Sequence, residues 1–491
     1  MTRVIRPHQE AAIALLRESI RRGHRRPLLQ IPTAGGKTYV ASLIIKSALG
    51  RSKRVLFLVD AISLVDQTVN AFYDADLHGI SVIQSDHIMQ DWSKPLQIAS
   101  IQTLQRRKVM PPAQLVIVDE AHRQNAWLQE IMESDEWADV PFIGLSATPW
   151  SKGLGNFYDD LIIPCTMQEL IDKGYLCGFR AYAAAHPNLA GVKTVAGDFH
   201  EGQLAEVMGD NVLIADIVRT WKLRGEGRPT IAFCVDRAHA MKVKLRFEQA
   251  GVPWGYIDAF TPREERAVIR RQLDDGEIKG VSNVGCLTTG VDWRLGCIIL
   301  ARPTKSEILY VQMIGRGLRV NEGIPDCIIL DHSDTTQRLG FVTDISHPTL
   351  CTAKKGEKQA PAPKPATPKE CPKCSFLKPA KVQECPACGF KPERTSKLEE
   401  AEGELVQITK GKGKGKAAPT REQQQSWLAQ LNTIAGTRTY APGWPAQIFK
   451  RKFGHWPEGL DRQARAQVTQ EVSNYVTGQM IRHAKGKSAH G

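Results

Sequence analysis

Two series of short apolar runs alternate with helical patterns over the first 350 residues. At helical spacing, apolar residues recur between the runs, as Ala12, Ile13, Leu16 and Ile20 do near the N-terminus. Strand runs that alternate with helices are typical of a parallel sheet covered on both faces. The pattern therefore predicts an α/β protein with two parallel-sheet domains. The runs are 28–31, 55–59, 97–101, 115–118 and 142–145 in the first series, and 230–235, 281–287, 297–300 and 327–330 in the second.

The first run ends in a glycine-rich turn, Gly35-Gly36-Lys37-Thr38, and the helical pattern 39–48 follows. Without side chains at the glycines, backbone N–H groups can close around anionic oxygens at the positive end of the helix. Lys37 would reach the β- and γ-phosphates of ATP, and Thr38 would hold Mg²⁺. The turn departs from the full phosphate-loop pattern, because Ile31 stands where the first glycine belongs. A plain turn that carries a surface lysine is the alternative.

Polar groups also follow two later strand runs, where sites in parallel sheets gather. Asp119 and Glu120 follow 115–118, so that the first would hold Mg²⁺ and the second would orient or deprotonate the attacking water. Ser146 and Thr148 follow 142–145. Each pair alone could be a helix cap or a turn. Their order behind the glycine-rich turn favours an ATP site.

The second series contributes Arg316 and Arg319, which lie in Gln312-Met313-Ile314-Gly315-Arg316-Gly317-Leu318-Arg319. A planar guanidinium from a facing domain can stabilise the charge that spreads over the γ-phosphoryl oxygens in the transition state. Without the first sheet, the two arginines would be only a basic helix face. Gln9 precedes the turn and could pair with the adenine edge, although alone it could be a surface glutamine.

These motifs, taken together and in this order, resemble those of the superfamily 2 helicases, whose motor has two RecA-like domains. Asp119-Glu120-Ala121-His122 resembles a DEAH-type motif II, 288–292 resembles motif V, and 100–104 resembles the nucleic-acid contact before motif II. One departure is Ala61-Ile62, where relatives usually carry an arginine. The resemblance implies catalytic roles for Lys37, Asp119, Glu120, His122, Arg316 and Arg319, ATP contacts at Gln9, Thr33, Ala34, Gly35, Gly36, Lys37, Thr38, Gly290 and Asp292, Mg²⁺ ligation by Thr38 and Asp119, and coupling or nucleic-acid contacts at Gln67, Thr103, Ser146, Thr148, Thr288, Thr289 and Gln312.

Ten residues separate two C-x-x-C pairs, Cys371/Cys374 and Cys385/Cys388. Four thiolates so close together suit a tetrahedral Zn²⁺ ion and leave no open position for chemistry. A redox dithiol or two disulfides are the alternatives. We predict a structural zinc ribbon, because so few residues cannot bury a core without the metal.

Positive charge is concentrated in the C-terminal part of the chain. The last 141 residues hold 25 Lys and Arg against 12 Asp and Glu, whereas the preceding 350 hold 40 of each. An anionic polymer, most simply nucleic acid, is the partner that this distribution indicates, and a solvated tail is the alternative. Apolar residues at helical spacing, Trp427 to Ile434 and Ala464 to Val476, predict a small helical module. Between them, aromatic and basic residues mix over 444–456, which suits either base stacking or a small core.

The expected order of domains resembles the RadD type of bacterial DNA-repair ATPases and their phage relatives. This implies an ATP-dependent DNA helicase or translocase that acts in repair, recombination or replication, with a single-strand-binding protein as a further partner. An RNA helicase, or an ATP-switched binding protein without unwinding activity, are the alternatives. No apolar run is long enough for a membrane span, so a cytoplasmic protein is expected. We predict RecA-like domains over 1–170 and 213–350, a connecting segment over 171–212, a Pro/Lys linker over 351–370, the zinc ribbon over 371–392, a basic linker over 393–420 and the helical module over 421–491.

Overall fold

The computed structural model describes residues 4–60, 64–84, 87–183, 186–195, 197–287, 293–353, 367–392, 419–438 and 440–487. The chain divides into two compact units, Met1–Arg394 and Thr395–Gly491. Two α/β domains and the four-cysteine segment lie in the first unit, and three helices form the second. Among the described residues, no helix combines the length and the apolarity that a membrane crossing requires.

The first domain is a seven-stranded parallel sheet with helices on both faces. All five predicted strand runs are present, and two further strands complete the sheet in the order β3-β4-β2-β5-β6-β1-β7. Alternate side chains along β2 enter two separate cores, with Phe57 on one face and Leu56 and Leu58 on the other. The strands are β1 (Pro27–Gln30), β2 (Val55–Val59), β3 (Ile80–Ile83), β4 (Leu96–Ser100), β5 (Leu115–Val118), β6 (Phe142–Ser146) and β7 (Asp160–Ile162), and the helices are α1 (Pro7–Arg21), α2 (Lys37–Leu49), α3 (Val65–Asp74), α4 (Ile101–Arg107), α5 (Ala126–Glu133) and α6 (Met167–Asp172).

The second domain is a six-stranded parallel sheet in the order β12-β13-β11-β14-β15-β8. Apolar cores again cover both faces, as parallel sheets require. The strand β8 lies inside the segment 171–212, which we assigned as the connection, and it pairs with β15 along its whole length. The strands are β8 (Gly178–Ala183), β11 (Thr230–Phe233), β12 (Trp254–Ile257), β13 (Gly280–Asn283), β14 (Cys297–Leu300) and β15 (Asp326–Asp331), the hairpin is β9 (Thr194–Val195) with β10 (Asp198–Phe199), and the helices are α7 (Glu201–Met208), α8 (Asn211–Arg224), α9 (Arg237–Gln249), α10 (Arg263–Asp274), α11 (Glu307–Ile314) and α12 (Thr335–Leu339).

The four-cysteine segment contains a small antiparallel hairpin, β16 (Lys369–Glu370) and β17 (Leu377–Lys378). It packs against β8 at the edge of the second sheet. The Ala183 N–H donates to the Ser375 carbonyl oxygen at 2.9 Å, and the rings of Tyr182 and Phe376 meet edge to face with centroids 5.4 Å apart. The hairpin is therefore anchored to the second domain.

The second unit has three helices, α13 (Arg421–Thr437), α14 (Trp444–Phe453) and α15 (Gln470–Lys487). The apolar face of the last helix is shorter than the sequence predicted, because Ala464 and Val468 precede α15. Side chains of α13 hold this segment in a non-helical form. Gln430 Oε1 accepts from the Thr469 N–H at 2.9 Å, and Asn432 Nδ2 donates to the Ala464 carbonyl oxygen at 3.0 Å.

Candidate ATP site and zinc cluster

The glycine-rich turn joins β1 to α2 and requires glycine at two positions. Gly36 has φ 92° and caps α2 in the left-handed region, which glycine adopts without steric cost. A Cβ at Gly35 would lie 2.9 Å from the Pro32 carbonyl oxygen. In the first turn of α2 there is no acidic residue, so the positive end of the helix is suited to an anion.

Lys37 lies between two carboxylates, which bring together the turn and the end of β5. Its Nζ atom is 2.8 Å from Asp119 Oδ1 and 2.6 Å from Glu120 Oε1. Burial lowers the pKa of Lys37, but the two carboxylates more than offset this and raise it above its usual value. Glu120 has φ 47°, a left-handed conformation that non-glycine residues rarely adopt and that clusters at functional sites.

His122 connects the two domains through hydrogen bonds. Burial lowers the pKa of its imidazole to about 4, so the ring is neutral. The Gln312 Nε2 amide lies 3.2 Å from His122 Nε2 and donates to it, which leaves the proton on Nδ1. That Nδ1 lies 2.9 Å from Ser146 Oγ, which also accepts from the Thr148 N–H at 3.0 Å. A chain of hydrogen bonds therefore runs from the second domain to the end of β6.

The C-terminal end of α11 packs directly against the glycine-rich turn. A Cβ at Gly315 would lie 2.6 Å from Thr33 Cβ, so the two domains are in van der Waals contact there. Arg316 is 6% exposed. Burial raises the pKa of Glu120, but the charge of Lys37, with smaller contributions from other groups that include Arg316, lowers it overall. Arg319 is half-buried on the same segment.

Gln9 is 2% exposed, so it is not the surface glutamine of the alternative interpretation. Its Oε1 atom accepts from the Arg6 N–H at 3.0 Å. Its neighbour His8, which the sequence did not single out, is 4% exposed, and its Nε2 lies 2.8 Å from the Gly35 carbonyl oxygen. The only signal for His8 was its place beside Gln9, and that does not reveal a contact with a residue 27 positions away.

The predicted nucleic-acid residues occupy varied positions. Gln67 is exposed on α3. The Thr103 hydroxyl lies 2.8 Å from the Oγ atom of Ser100, and Ser100 caps α4. The buried Thr148 Oγ1 atom has no hydrogen-bond partner among the described residues. Thr288, Thr289, Gly290 and Asp292 lie outside the described residues.

Cys371, Cys374, Cys385 and Cys388 bring their sulfur atoms within 4.8 Å of one another. The Sγ atoms of Cys371 and Cys388 are 3.7 Å apart, and those of Cys374 and Cys385 are 3.6 Å apart. Four thiolates at these separations can surround a tetrahedral ion, so the donor set fits Zn²⁺. All four would be its ligands.

Two family models match the chain, namely "Type III restriction enzyme, res subunit" over residues 3–151 and "Helicase conserved C-terminal domain" over residues 212–321. The chain belongs to the superfamily 2 helicases. Members of this family hydrolyse ATP, and the two models fall on the two parallel-sheet domains. This confirms the family that the motifs indicated and the predicted fold class.

Curated relatives share the helicase region. IRC3 of Saccharomyces cerevisiae, described as an ATP-dependent helicase, is 31% identical over 71% of this chain and 53% of its own length. A 51.5 kDa protein of a Lactococcus phage is 29% identical over 71% of this chain and 75% of its own. The endonuclease subunit of the type I restriction enzyme EcoAI from Escherichia coli is 27% identical over 65% of this chain and 44% of its own. The chain thus spans about half the length of several relatives it matches.

Solved structures show the same fold. A fragment of an HsdR subunit of a type I restriction enzyme from Vibrio vulnificus covers 68% of this chain and 65% of its own, at a TM-score of 0.53 and 19% identity. The type ISP restriction-modification enzyme LlaBIII, solved bound to DNA, covers 67% of this chain and 27% of its own, at a TM-score of 0.50 and 17% identity. At these identities, the likeness concerns the fold alone.

Proposed function

We propose that this chain is an ATP-dependent DNA helicase or translocase that hydrolyses ATP between its two RecA-like domains and moves on or remodels DNA. The observation that carries the proposal is the joint site. Lys37, Asp119 and Glu120 of the first domain form one partly buried ionic cluster, and Gln312 of the second domain hydrogen-bonds to His122 beside it. A site shared by two domains couples nucleotide state to their relative position.

Each residue has a distinct role in this proposal. Lys37 exchanges its carboxylate partners for the β- and γ-phosphate oxygens. Asp119 and Thr38 would be the oxygen ligands of the Mg²⁺ that accompanies ATP, and the ion would supply positive charge at the phosphates. Glu120 then accepts hydrogen bonds from the attacking water. Arg316 and Arg319 stabilise the transition-state charge, which is worth roughly 10³ to 10⁵ in rate for such arginines. Hydrolysis therefore depends on closure of the domains.

DNA is the polymer that we favour over RNA, because relatives of this chain carry the names of DNA restriction enzyme subunits. The RadD-like order of domains and the phage relative support a role in repair, recombination or replication, in the cytoplasm of a bacterial or phage-infected cell. A single-strand-binding protein is the further partner that this role suggests. The zinc ribbon, held by its four cysteines, would be a structural element of the same machine.

The test is ATP hydrolysis by the full-length protein without nucleic acid and with single-stranded DNA, duplex DNA, forked DNA or RNA. We expect stimulation by a DNA substrate, and at least a 100-fold loss in Lys37→Ala, because the positive charge that Lys37 brings to the β- and γ-phosphates is lost. Lys46→Ala is the matched control, since Lys46 lies on the same helix and its side chain is 41% exposed. Equal rates under all five conditions would contradict the proposal, and stimulation by RNA alone would favour an RNA helicase.

A further inference from the structure

An exposed aromatic ring lies at the carboxyl end of β12. Phe260 is 76% exposed, which makes it the most exposed aromatic side chain among the described residues. Single exposed hydrophobic residues are ordinary on protein surfaces, so exposure alone carries no inference. Three further features support a function for this ring: the rigidity of its turn, the positive charge that lies over it and its position in the motor.

The turn 258–261 is fixed by a buried carboxylate. Asp258 is 4% exposed, and its Oδ1 atom accepts from the Phe260 N–H at 2.9 Å and from the Thr261 N–H at 3.0 Å. Its other oxygen accepts from Tyr256 Oη at 2.9 Å. Arg266 also stabilises the turn, because its Nη2 atom donates to the Asp258 carbonyl oxygen at 2.8 Å. The backbone that carries the ring is therefore held in one conformation.

A guanidinium lies over the ring. The Cζ atom of Arg237 is 5.0 Å from the Phe260 centroid, which is the geometry of a cation–π contact. Arg237 Nε donates to Asp258 Oδ2 at 2.6 Å, so the same carboxylate orients the turn and the arginine. Yet the Arg237 side chain remains 64% exposed. A positive charge and an aromatic face are thus presented to solvent together.

The pair lies at the carboxyl ends of two strands of the second sheet. Arg237 and Phe260 follow β11 and β12, and Ile257 pairs with Asn283, so the segment after β13 leaves the sheet beside the turn. Arg263, two residues beyond the turn, forms an ion pair with Asp66 of α3 in the first domain. Asp66 adjoins Gln67, an expected nucleic-acid contact. The ATP site lies elsewhere, at β1, β5 and the end of α11.

We propose that the Phe260 ring is a stacking platform for an unpaired base, and that the Arg237 guanidinium binds the adjoining phosphate. Every base has a π-face, so such a contact grips a strand without regard to sequence. The charge complementarity of Arg237 with phosphate favours nucleic acid over an apolar partner. The proposal rests on the function proposed above and adds a contact on the second domain that the helicase motifs did not include.

The test uses the full-length protein and a 20-nucleotide oligothymidine. We would measure the oligonucleotide concentration that gives half-maximal stimulation of ATP hydrolysis in the wild type, Phe260→Ala, Phe260→Leu and Phe260→Trp. The Ala and Leu variants should raise this concentration about 5- to 100-fold, and Trp should keep it within about 2-fold, because only an aromatic ring stacks on a base. The rate without nucleic acid should not change, since Phe260 follows β12 of the second sheet, whereas Lys37, Asp119 and Glu120 follow strands of the first.

Trp92→Ala is the matched control. Trp92 is an exposed aromatic residue, 39% accessible. It precedes β4, so it lies at the amino end of a strand, whereas Phe260 follows the carboxyl end of one. It should leave the half-maximal concentration unchanged. A wild-type response in Phe260→Ala, or full rescue by Leu, would overturn the platform and leave the proposed function intact. If no nucleic acid stimulates the wild type, both proposals fail.

Discussion

Three of the buried histidines, His122, His239 and His332, link the stability of the motor to pH. Burial lowers the pKa of each imidazole from 6.5 to about 4. Beside His332 the carboxylate of Asp216 lies 3.6 Å from Nδ1 and favours the charged ring, but burial is the larger influence. Each ring therefore takes up a proton when the chain unfolds between pH 6.5 and 4.

The contribution of these neutral histidines to the free energy of unfolding should therefore be fully present above pH 6.5. It should fall as the pH decreases through this window, by about 1.4 kcal/mol per pH unit for each histidine. The measurement is the urea midpoint of unfolding at several values between pH 7.5 and 5. In His332→Asn the decline should be shallower, because one proton fewer is taken up. The two proteins should have the same slope above pH 7. A midpoint that does not vary with pH would contradict the assignment of three neutral histidines.

At the residue scale, local motifs were predictable and distant contacts were not. Asp119 stood out because it directly follows a strand run, and Lys37 because it ends the glycine-rich turn after another. The carboxyl ends of parallel strands meet at one edge of the sheet. The contact of His8 with Gly35, and that of Asp66 with Arg263, join residues far apart in the chain. The spacing of the neighbouring residues along the chain does not indicate these two contacts. The sequence did not indicate a role for Phe260, because the exposure of its ring depends on a turn that a buried aspartate, Asp258, fixes.

At the scale of elements, the end of α11 has two glycines with different roles. A Cβ at Gly315 would lie 2.6 Å from Thr33 Cβ in the other domain, and 2.9 Å from the Val311 carbonyl oxygen. A Cβ at Gly317 would lie 2.4 Å from Cys327 Sγ, inside the second domain. The first glycine permits contact between the domains, and the second permits the segment to pack on β15.

We therefore expect Gly315→Ala to lower nucleic-acid-stimulated ATP hydrolysis at least 10-fold, because the added methyl group keeps Arg316 from the facing site. Gly317→Ala should instead lower the thermal midpoint by several degrees, as overpacking costs about 1–3 kcal/mol. Hydrolysis rates and thermal unfolding of both variants check this. If Gly315→Ala were fully active, contact at Thr33 would not be needed for turnover.

The series of strands was predictable because each buried strand is a short apolar run between helical patterns. The sequence did not assign β8 to the second sheet. That strand lies before the series to which it belongs, and its partner β15 is about 150 residues away, so only the fold reveals the pairing. The fold also distinguishes core from surface among the aromatic residues of the C-terminal unit. Trp427, Trp444 and Phe453 pack on its core, whereas Trp456 is 44% exposed.

At the scale of the whole molecule, the chain combines a motor of balanced charge with a basic C-terminal part. Within the second unit, Lys450, Arg451 and Lys452 are exposed at the end of α14. The Nζ atom of Lys450 lies 4.5 Å from the Trp456 ring centroid, and that of Lys452 lies 4.5 Å from the Trp427 centroid. Long-range attraction to phosphates depends on such exposed charges and weakens as salt increases.

Replacing Lys450, Arg451 and Lys452 together by Gln should weaken DNA binding and make it less sensitive to salt. Each lost phosphate contact lowers the slope of log affinity against log salt concentration by about 0.7 on single strands, so three contacts would lower it by about 2. The measurement is fluorescence anisotropy of a labelled single strand between low and physiological salt. Arg51→Gln with Lys53→Gln, at exposed positions in the first domain, is the control and should keep the wild-type slope. An unchanged slope in the triple variant would mean that the basic helix end only keeps the unit solvated, and that the motor alone holds the strand.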